Sequence, residues 1–272
     1  MGILMPLDQI FQLVAIVIYF ASMIGIGLWA NGRTNNLDDY MLGGRSLSPV
    51  VAALSAGASD MSGWLLLGLP GGLYVTGLAD AWIAIGLTIG AWVNWKIVAP
   101  RLRTYSEVAG NSITIPSFLE NRLHDSSRAL RIVSGLVILT FFTFYVSSGM
   151  VSGGVFFENS FGSSYRVGML VVAGVTVLYT FFGGFIGASY TDMMQGLLIM
   201  GALILVPVLA VIEVGPGNLV GAVTLTNPRA FSLLPDTSAG LGVALVAMIS
   251  SVAWGLGYFG QPHIIVRFMA LR

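Results

Sequence analysis

Residues 53–71 read ALSAGASDMSGWLLLGLPG, an apolar stretch whose middle is broken by glycine, serine and one carboxylate, Asp60. Glycine, serine and aspartate are poor helix formers because they expose the backbone or compete for its hydrogen bonds. An aspartate near the middle of a membrane costs about 2.5–3.5 kcal/mol to insert and persists only with partners. We therefore expect a helix interrupted at residues 57–63 that forms an ion or substrate site. The alternative is a packed segment in which serine hydroxyls satisfy Asp60.

A second stretch, residues 254–263, reads WGLGYFGQPH and contains three glycines and a proline. Proline has no amide donor and clashes with the preceding turn, so a helix should break or kink here. Trp254 and Tyr258 are four residues apart and share a face wherever the segment is helical. We expect them to line a small-molecule pocket, with interfacial aromatic residues on a kinked helix as the alternative.

The composition indicates that both stretches lie in a membrane. Hydrophobic residues make up 56% of the 272, charged residues make up 9%, and the mean hydropathy is +0.87. Soluble domains are about 25% charged, so this composition excludes disorder and disfavours a soluble enzyme. A helix needs about 20 apolar residues to cross a bilayer. The charge-poor runs predict seven such helices, at residues 9–31, 47–72, 79–99, 130–157, 167–186, 191–213 and 241–266.

The two interrupted helices are the second and the seventh of the predicted seven. Interrupted helices at matching places in two halves mark the binding site of inverted-repeat transporters. A separation of five helices predicts a five-helix repeat, and the second copy is inverted because five is odd. We expect a single transmembrane domain over residues 1–272. It has a leading helix, a first repeat over residues 47–213, and a seventh helix that starts an incomplete second repeat.

The basic residues predict an orientation. Of the 12 Lys and Arg residues, ten fall on one side of the predicted topology, and only Arg166 and Arg229 fall on the other. Basic residues favour the cytoplasmic side, so the N-terminus is expected outside and the C-terminus inside. In the long cytoplasmic loop, residues 115–123 are expected to form an amphipathic helix that starts near Pro116.

The sequence offers little for an enzyme. It has no cysteine, so disulfides, thiolate metal sites and cysteine nucleophiles are excluded. The two histidines are far apart, at positions 124 and 263, and no HExxH motif is present. We therefore expect no enzyme activity, no cofactor and no metal beyond a possible alkali cation.

Six stretches resemble the sodium/solute symporters, and among them the bacterial sodium/proline symporters. They occur in order over nearly the whole chain, and each is long. The resemblance implies a LeuT-type inverted-repeat fold, an all-α polytopic protein truncated here to about seven transmembrane helices. The stretches are LDDYMLGGRSLSP (37–49), ALSAGASDMSGWLLLGLPG (53–71), AWIAIGLTIGAWVNWK (81–96), FFTFYVSSG (141–149), FFGGFIGASYTD (181–192) and WGLGYFGQPHIIVRFMA (254–270).

The resemblance also implies how sodium is bound. Asp60 matches the carboxylate that sodium coupling requires, and Ser62 and Gly63 match neighbours that shape sodium and proline affinity. Ala58 and Met61 match positions whose backbone carbonyls bind sodium in an unwound helix. This set agrees with the chemistry of a hard cation, which binds several oxygen ligands.

Further roles are implied for the substrate and for ion release. Tyr145, Trp254, Tyr258 and Pro262 resemble the residues of a proline site, together with Ser62 and Gly63. Asp192 resembles an acidic residue linked to sodium release, with a carboxylate at a helix N-terminus as an equally good interpretation.

A cytoplasmic loop motif is a weaker signal. Arg45, Asp38 and Asp39 match family positions that affect transport, and interfacial charges explain them as well. The implied partners are proline, sodium as coupling ion and the lipid bilayer of a bacterial cytoplasmic membrane, with no nucleic acid.

The chain departs from the family in length. Further sodium ligands, a Ser/Thr hydroxyl pair, are implied on a helix beyond residue 272. We therefore expect this chain to be the N-terminal part of a longer transporter that works by alternating access. The alternatives are a solute-binding sensor domain of the same family and a symporter for another small solute.

Overall fold

The computed structural model describes residues 7–272, without side-chain detail at residues 61–63 and 66. The described part is almost entirely helical, and its one β contact is an isolated parallel bridge between Leu47 and Leu271. Helices dominate because their backbone groups are satisfied internally, which an apolar solvent requires.

Twelve α-helices follow one another along the described chain. They are α1 (Leu7–Asn31), α2 (Leu37–Leu42), α3 (Pro49–Gly63), α4 (Leu69–Thr76), α5 (Ala81–Val93), α6 (Ala99–Val108), α7 (Ile115–Leu123), α8 (Ala129–Phe161), α9 (Tyr165–Val214), α10 (Pro216–Thr226), α11 (Leu241–Ala253) and α12 (Pro262–Met269). Short 3-10 or π-helical segments join several of them, at Gly43–Arg45, Trp64–Gly68, Gly77–Asp80, Asn94–Val98 and Trp254–Phe259.

Five helical runs in the described part are long and apolar enough to cross a membrane. They are Leu7–Asn31, Leu69–Val108, Ala129–Phe161, Tyr165–Val214 and Leu241–Phe259. The described part is therefore that of a nearly all-helical polytopic membrane protein, while the expected number of seven spans remains a prediction. The run Tyr165–Val214 is divided at Gly184, whose φ of 54° and ψ of −148° are not helical.

The predicted amphipathic helix is confirmed as α7. Its N-cap is Thr114. The Thr114 hydroxyl accepts a hydrogen bond from the Ser117 amide, and the Ser117 hydroxyl accepts one from the Thr114 amide. Pro116 occupies the first turn, where its missing amide costs nothing.

The helix break predicted at residues 254–263 is also confirmed. Helix α11 ends at Ala253, a tighter 3-10 segment follows from Trp254 to Phe259, and α12 starts at Pro262. The proline ring and the glycines end the regular hydrogen-bond ladder here, as expected.

The unwinding expected at residues 57–63 is wrong. Helix α3 continues to Gly63. A π-helical turn follows directly, at Trp64–Gly68. Unpaired backbone in an apolar solvent costs more than the weak helix propensity of Gly, Ser and Asp, so the helix persists through them. A wide turn of this type is rare and often lies at functional sites.

The described chain forms two compact units. The first consists of residues 7–55, 106–194 and 270–272, and the second of residues 56–105 and 195–269. In the first unit, α1 and α9 touch through their backbones: a Cβ atom built on Gly27 would lie 2.8 Å from the Tyr179 carbonyl oxygen. The ring of Trp29 packs edge-on against Tyr190 at a centroid separation of 5.0 Å in the same unit.

In the second unit, α5 packs directly on the broken helix. A Cβ atom on Gly86 would lie 2.4 Å from the Val252 carbonyl oxygen, and one on Gly90 would lie 2.2 Å from that of Gly255. Both distances are impossible for real carbon atoms, so the two backbones are in contact only because these positions are glycine.

We expect Gly90→Ala to destabilise the second unit strongly. Its new methyl group would meet the rigid Gly255 backbone, and overpacking of this kind costs about 1–3 kcal/mol. The measurement is the thermal unfolding temperature in detergent. The matched control is Gly135→Ala on α8, where a Cβ atom meets nothing within 4 Å. Equal unfolding temperatures for the two variants would contradict the packing.

The loop between α7 and α8 is held by one carboxylate. Asp125 accepts hydrogen bonds from the Ser127 hydroxyl and amide and from the Leu130 amide, at 2.5, 3.0 and 2.8 Å. These bonds, led by that of the Ser127 hydroxyl, lower the pKa of Asp125 below its ordinary value of 3.8.

The lowered pKa of Asp125 predicts a pH dependence. Because the folded pKa is depressed, the stabilisation is complete well above pH 3.8 and is lost as the pH falls through the lowered pKa. At pH 6 the Leu130 amide should exchange its hydrogen faster in Asp125→Asn than in the parent, and this ratio should shrink towards one at pH 2. A ratio that does not change with pH would contradict this interpretation.

Candidate functional site

The two stretches that the sequence singled out meet in the second unit. The phenolic hydroxyl of Tyr258, on the 3-10 segment, donates a hydrogen bond to Asp60 Oδ2, on α3. Both residues are half-buried. The half-buried carboxylate therefore has a hydrogen-bond donor as its partner, as buried polar groups require.

A buried arginine lies next to this pair. Arg267 of α12 is 6% exposed, and its guanidinium donates to the Ser59 hydroxyl at 2.5 Å and to the backbone carbonyl of His263. Ser59 directly precedes Asp60, so the bond between α3 and α12 lies one residue before the carboxylate. Sequence reasoning missed this role of Arg267, although an arginine in the last turn of an otherwise apolar helix is a recognisable signal.

The backbone of Tyr258 is held by a second hydrogen bond. Its backbone carbonyl accepts a hydrogen bond of 2.9 Å from the side-chain amide of Asn94, which is fully buried at the start of the π-helical segment Asn94–Val98. Asn94 was also missed from the sequence. An asparagine inside an otherwise apolar run was the available signal.

An aromatic pair connects the same two stretches. The rings of Trp64 and Trp254 are stacked, with centroids 5.7 Å apart and an interplanar angle of 23°. Trp254 remains 55% exposed. A flat apolar surface of this kind can bind the ring or hydrocarbon part of a small solute.

The remaining predicted residues are placed as follows. Pro262 begins α12, and Ala58 lies on helical backbone in α3. Residues 61–63 lie outside the part of the chain with described side chains, so the roles predicted for Met61, Ser62 and Gly63 remain predictions.

Tyr145 and Asp192 belong to the first unit. Tyr145 lies on α8 with its ring 5.7 Å from that of Phe142, and it is 37% exposed. A carboxylate oxygen of Asp192 accepts a hydrogen bond of 3.0 Å from the fully buried Ser55 hydroxyl. Asp192 lies inside α9 and not at a helix N-terminus, so the interpretation as a terminal carboxylate is wrong.

Arg45 makes several contacts in the first unit. Its guanidinium donates to the Ser106 hydroxyl at 2.9 Å, to the Asn111 side chain at 3.1 and 3.2 Å, and to the Ser112 carbonyl at 3.0 Å. Four hydrogen bonds in one fork are more than an interfacial charge needs. Arg45 therefore ties the segment after α2 to the end of α6 and to the loop that follows it.

The oxygen atoms near Asp60 suit a hard cation. A carboxylate and a serine hydroxyl on adjacent residues are ligands of the kind that hard cations bind. Among the described residues, no cluster of three or more His, Cys, Asp or Glu could hold a transition metal. The described residues therefore place one carboxylate and one hydroxyl, on adjacent positions of α3, beside the broken helix.

Comparisons with known proteins agree with this chemistry. Residues 40–272 match the sodium:solute symporter family. The high-affinity proline transporter PutP of Bacillus subtilis is 59% identical over 250 residues, which are 92% of this chain and 52% of that protein. The osmoregulated proline transporter OpuE of the same organism is 49% identical, over 96% of this chain and 52% of that protein.

A third relative points the same way. A sodium/proline symporter of Staphylococcus aureus is 48% identical over 260 residues, 95% of this chain and 50% of that protein. The chain thus spans about half the length of the curated relatives it matches. All three relatives are transporters and not enzymes.

Proposed function

Because this chain belongs to the sodium:solute symporter family, we propose that it forms part of a transporter that couples sodium entry to the uptake of L-proline. The proposal extends to its being the N-terminal part of a longer protein. It also includes a LeuT-type fold, residence in a bacterial cytoplasmic membrane and an external N-terminus.

The hydrogen bond between Tyr258 and Asp60 carries this proposal. It links the carboxylate proposed for sodium to the aromatic segment proposed for the substrate. Sodium bound at Asp60 would compete with the Tyr258 hydroxyl for the same oxygen and so change the position of that segment. Occupancy of the ion site would then alter substrate affinity, which is the reciprocal coupling that symport requires.

The proposed ligands are those that the family resemblance implies. Sodium would be bound by Asp60 with its neighbours Ala58, Met61, Ser62 and Gly63, and released with the help of Asp192. The pyrrolidine ring of proline would lie against Trp254 and Tyr258. The family resemblance also assigns roles in proline binding to Ser62, Gly63 and Pro262, and separately to Tyr145.

Coupling between the two ligands follows from population shift. Sodium would stabilise an outward-open state whose substrate site is ordered, and proline would bind the state that sodium has populated. Alternating access then carries both ligands across the membrane.

The test is uptake of radiolabelled proline into proteoliposomes that contain the whole product of the gene. Uptake should accelerate with an inward sodium gradient and stop when sodium is replaced by choline. Sodium-independent uptake would refute symport, and proline binding without uptake would favour a sensor. Competition by unlabelled amino acids and sugars would identify another solute.

A further inference from the structure

The carbonyl of Tyr258 lacks the donor that an α-helix would give it. In a regular helix this oxygen accepts from the amide four residues later. That residue is Pro262, which has no amide hydrogen. An unsatisfied carbonyl is costly in an apolar surrounding, so another donor is required.

Asn94 provides this donor. Its side-chain amide nitrogen donates to the Tyr258 carbonyl oxygen at 2.9 Å, and the residue is fully buried. The other half of the amide, Oδ1, is buried with no hydrogen-bond partner in the described part of the chain. The side chain of Asn94 is thus bound only through its NH₂ group in the described part of the chain. Leucine, which has a similar size, lacks this donor.

Asn94 reaches the Tyr258 carbonyl because it directly follows α5 and continues the register of one face of that helix. Gly86, Gly90 and Asn94 follow at intervals of four residues and share one helix face. The two glycines bring the backbone of α5 against Val252 and Gly255. This close approach leaves Asn94 level with the end of the 3-10 segment.

We propose that Asn94 is a positioning residue of the substrate site, whose amide replaces the donor that Pro262 removes and holds Tyr258 in place. The inference rests on the proposed function, since Tyr258 is proposed to contact proline. Tyr258 is bound at both ends, by Asp60 at the hydroxyl and by Asn94 at the carbonyl. Loss of either bond lets the aromatic wall of the site shift.

The first test is proline uptake by Asn94→Leu in the whole gene product. The KM for proline should rise about tenfold, because the free energy of one hydrogen bond corresponds to about that factor in affinity. The maximal rate should change far less. The matched control is Thr88→Val on the same helix, whose exposed hydroxyl bonds only the Ala84 carbonyl of its own turn. An unchanged KM for Asn94→Leu would overturn the proposal.

The second test separates this bond from general packing. Pro262→Ala restores an amide hydrogen four residues after Tyr258, so the Asn94 donor becomes redundant. In the Pro262→Ala background, Asn94→Leu should raise the KM by less than about twofold, because the two changes act on one carbonyl. Effects that multiply independently would overturn the proposal.

A measurement that does not depend on transport distinguishes the role proposed for Asn94 from the proposed symport function. The same four proteins (the parent, the two single variants and the double variant) are compared by thermal unfolding in detergent. Non-additive shifts in unfolding temperature support the shared carbonyl even if the parent protein transports no proline. Such a parent would refute the proposed function, whereas additive shifts would refute the role of Asn94.

Discussion

Replacing Asp60 by asparagine should raise the sodium concentration for half-maximal proline uptake at least tenfold. Asparagine has the same size and can still accept the Tyr258 hydrogen bond, so the variant removes mainly the negative charge. A charge a few ångströms from a bound cation is worth a few kcal/mol at the effective dielectric of about 20 near protein sites. Tenfold corresponds to about 1.4 kcal/mol, so the expected shift is a lower bound.

Sodium titrations of initial uptake rates measure this effect. The maximal rate at saturating sodium should recover in part, because asparagine preserves the size of the side chain and its hydrogen bond with Tyr258. Asp8→Asn, a change of an exposed acid in the first turn of α1, is the matched control and should leave the titration unchanged. Unaltered sodium dependence in Asp60→Asn would mean that Asp60 serves packing alone, the alternative raised by its serine neighbours.

Replacing Arg267 by methionine should have the second-largest effect, on folding and uptake together. The guanidinium bonds both Ser59 and the His263 carbonyl from a buried position. A hydrogen bond to a charged group contributes about 1.5–3 kcal/mol, so the loss of two bonds should lower the unfolding temperature clearly. Arg267→Lys should recover only part of the loss, since a point charge cannot reproduce the planar fork.

Thermal unfolding in detergent and uptake at matched protein levels measure the effect of Arg267. Arg101→Met, a change of an exposed arginine on α6, removes the same charge without buried contacts and should be nearly neutral. If Arg267→Met were as stable and as active as Arg101→Met, the buried contacts of Arg267 would have no energetic role.

Much of the fold could be predicted because membrane helices follow from local rules. Apolar runs, the Thr114–Pro116 helix start and the Gly/Pro break before α12 were all readable as patterns of residue type. The prediction failed at residues 57–63, where intrinsic propensity indicated an unwound segment and the helix continues to Gly63. There the need to satisfy the backbone in an apolar surrounding outweighs propensity.

The site was predictable only in part. Asp60 and Tyr258 were chosen as an ionisable group and an aromatic residue at unusual positions, and the structure joins them by a hydrogen bond. Arg267 and Asn94 were missed because their roles depend on residues 208 and 164 positions away along the chain. No local periodicity encodes a partner at that separation.

Composition and local residue pattern are enough to predict the membrane surroundings, the helical class and the break before α12. These are properties of composition and of residues within one or two turns of each other, such as the proline that removes its own amide donor. The partners of the Asp60 carboxylate and of the Tyr258 carbonyl, in contrast, are known only from the folded chain. Hydrogen bonds need atoms within about 3 Å of each other, and the packing of α5 and α3 around the broken helix sets those distances.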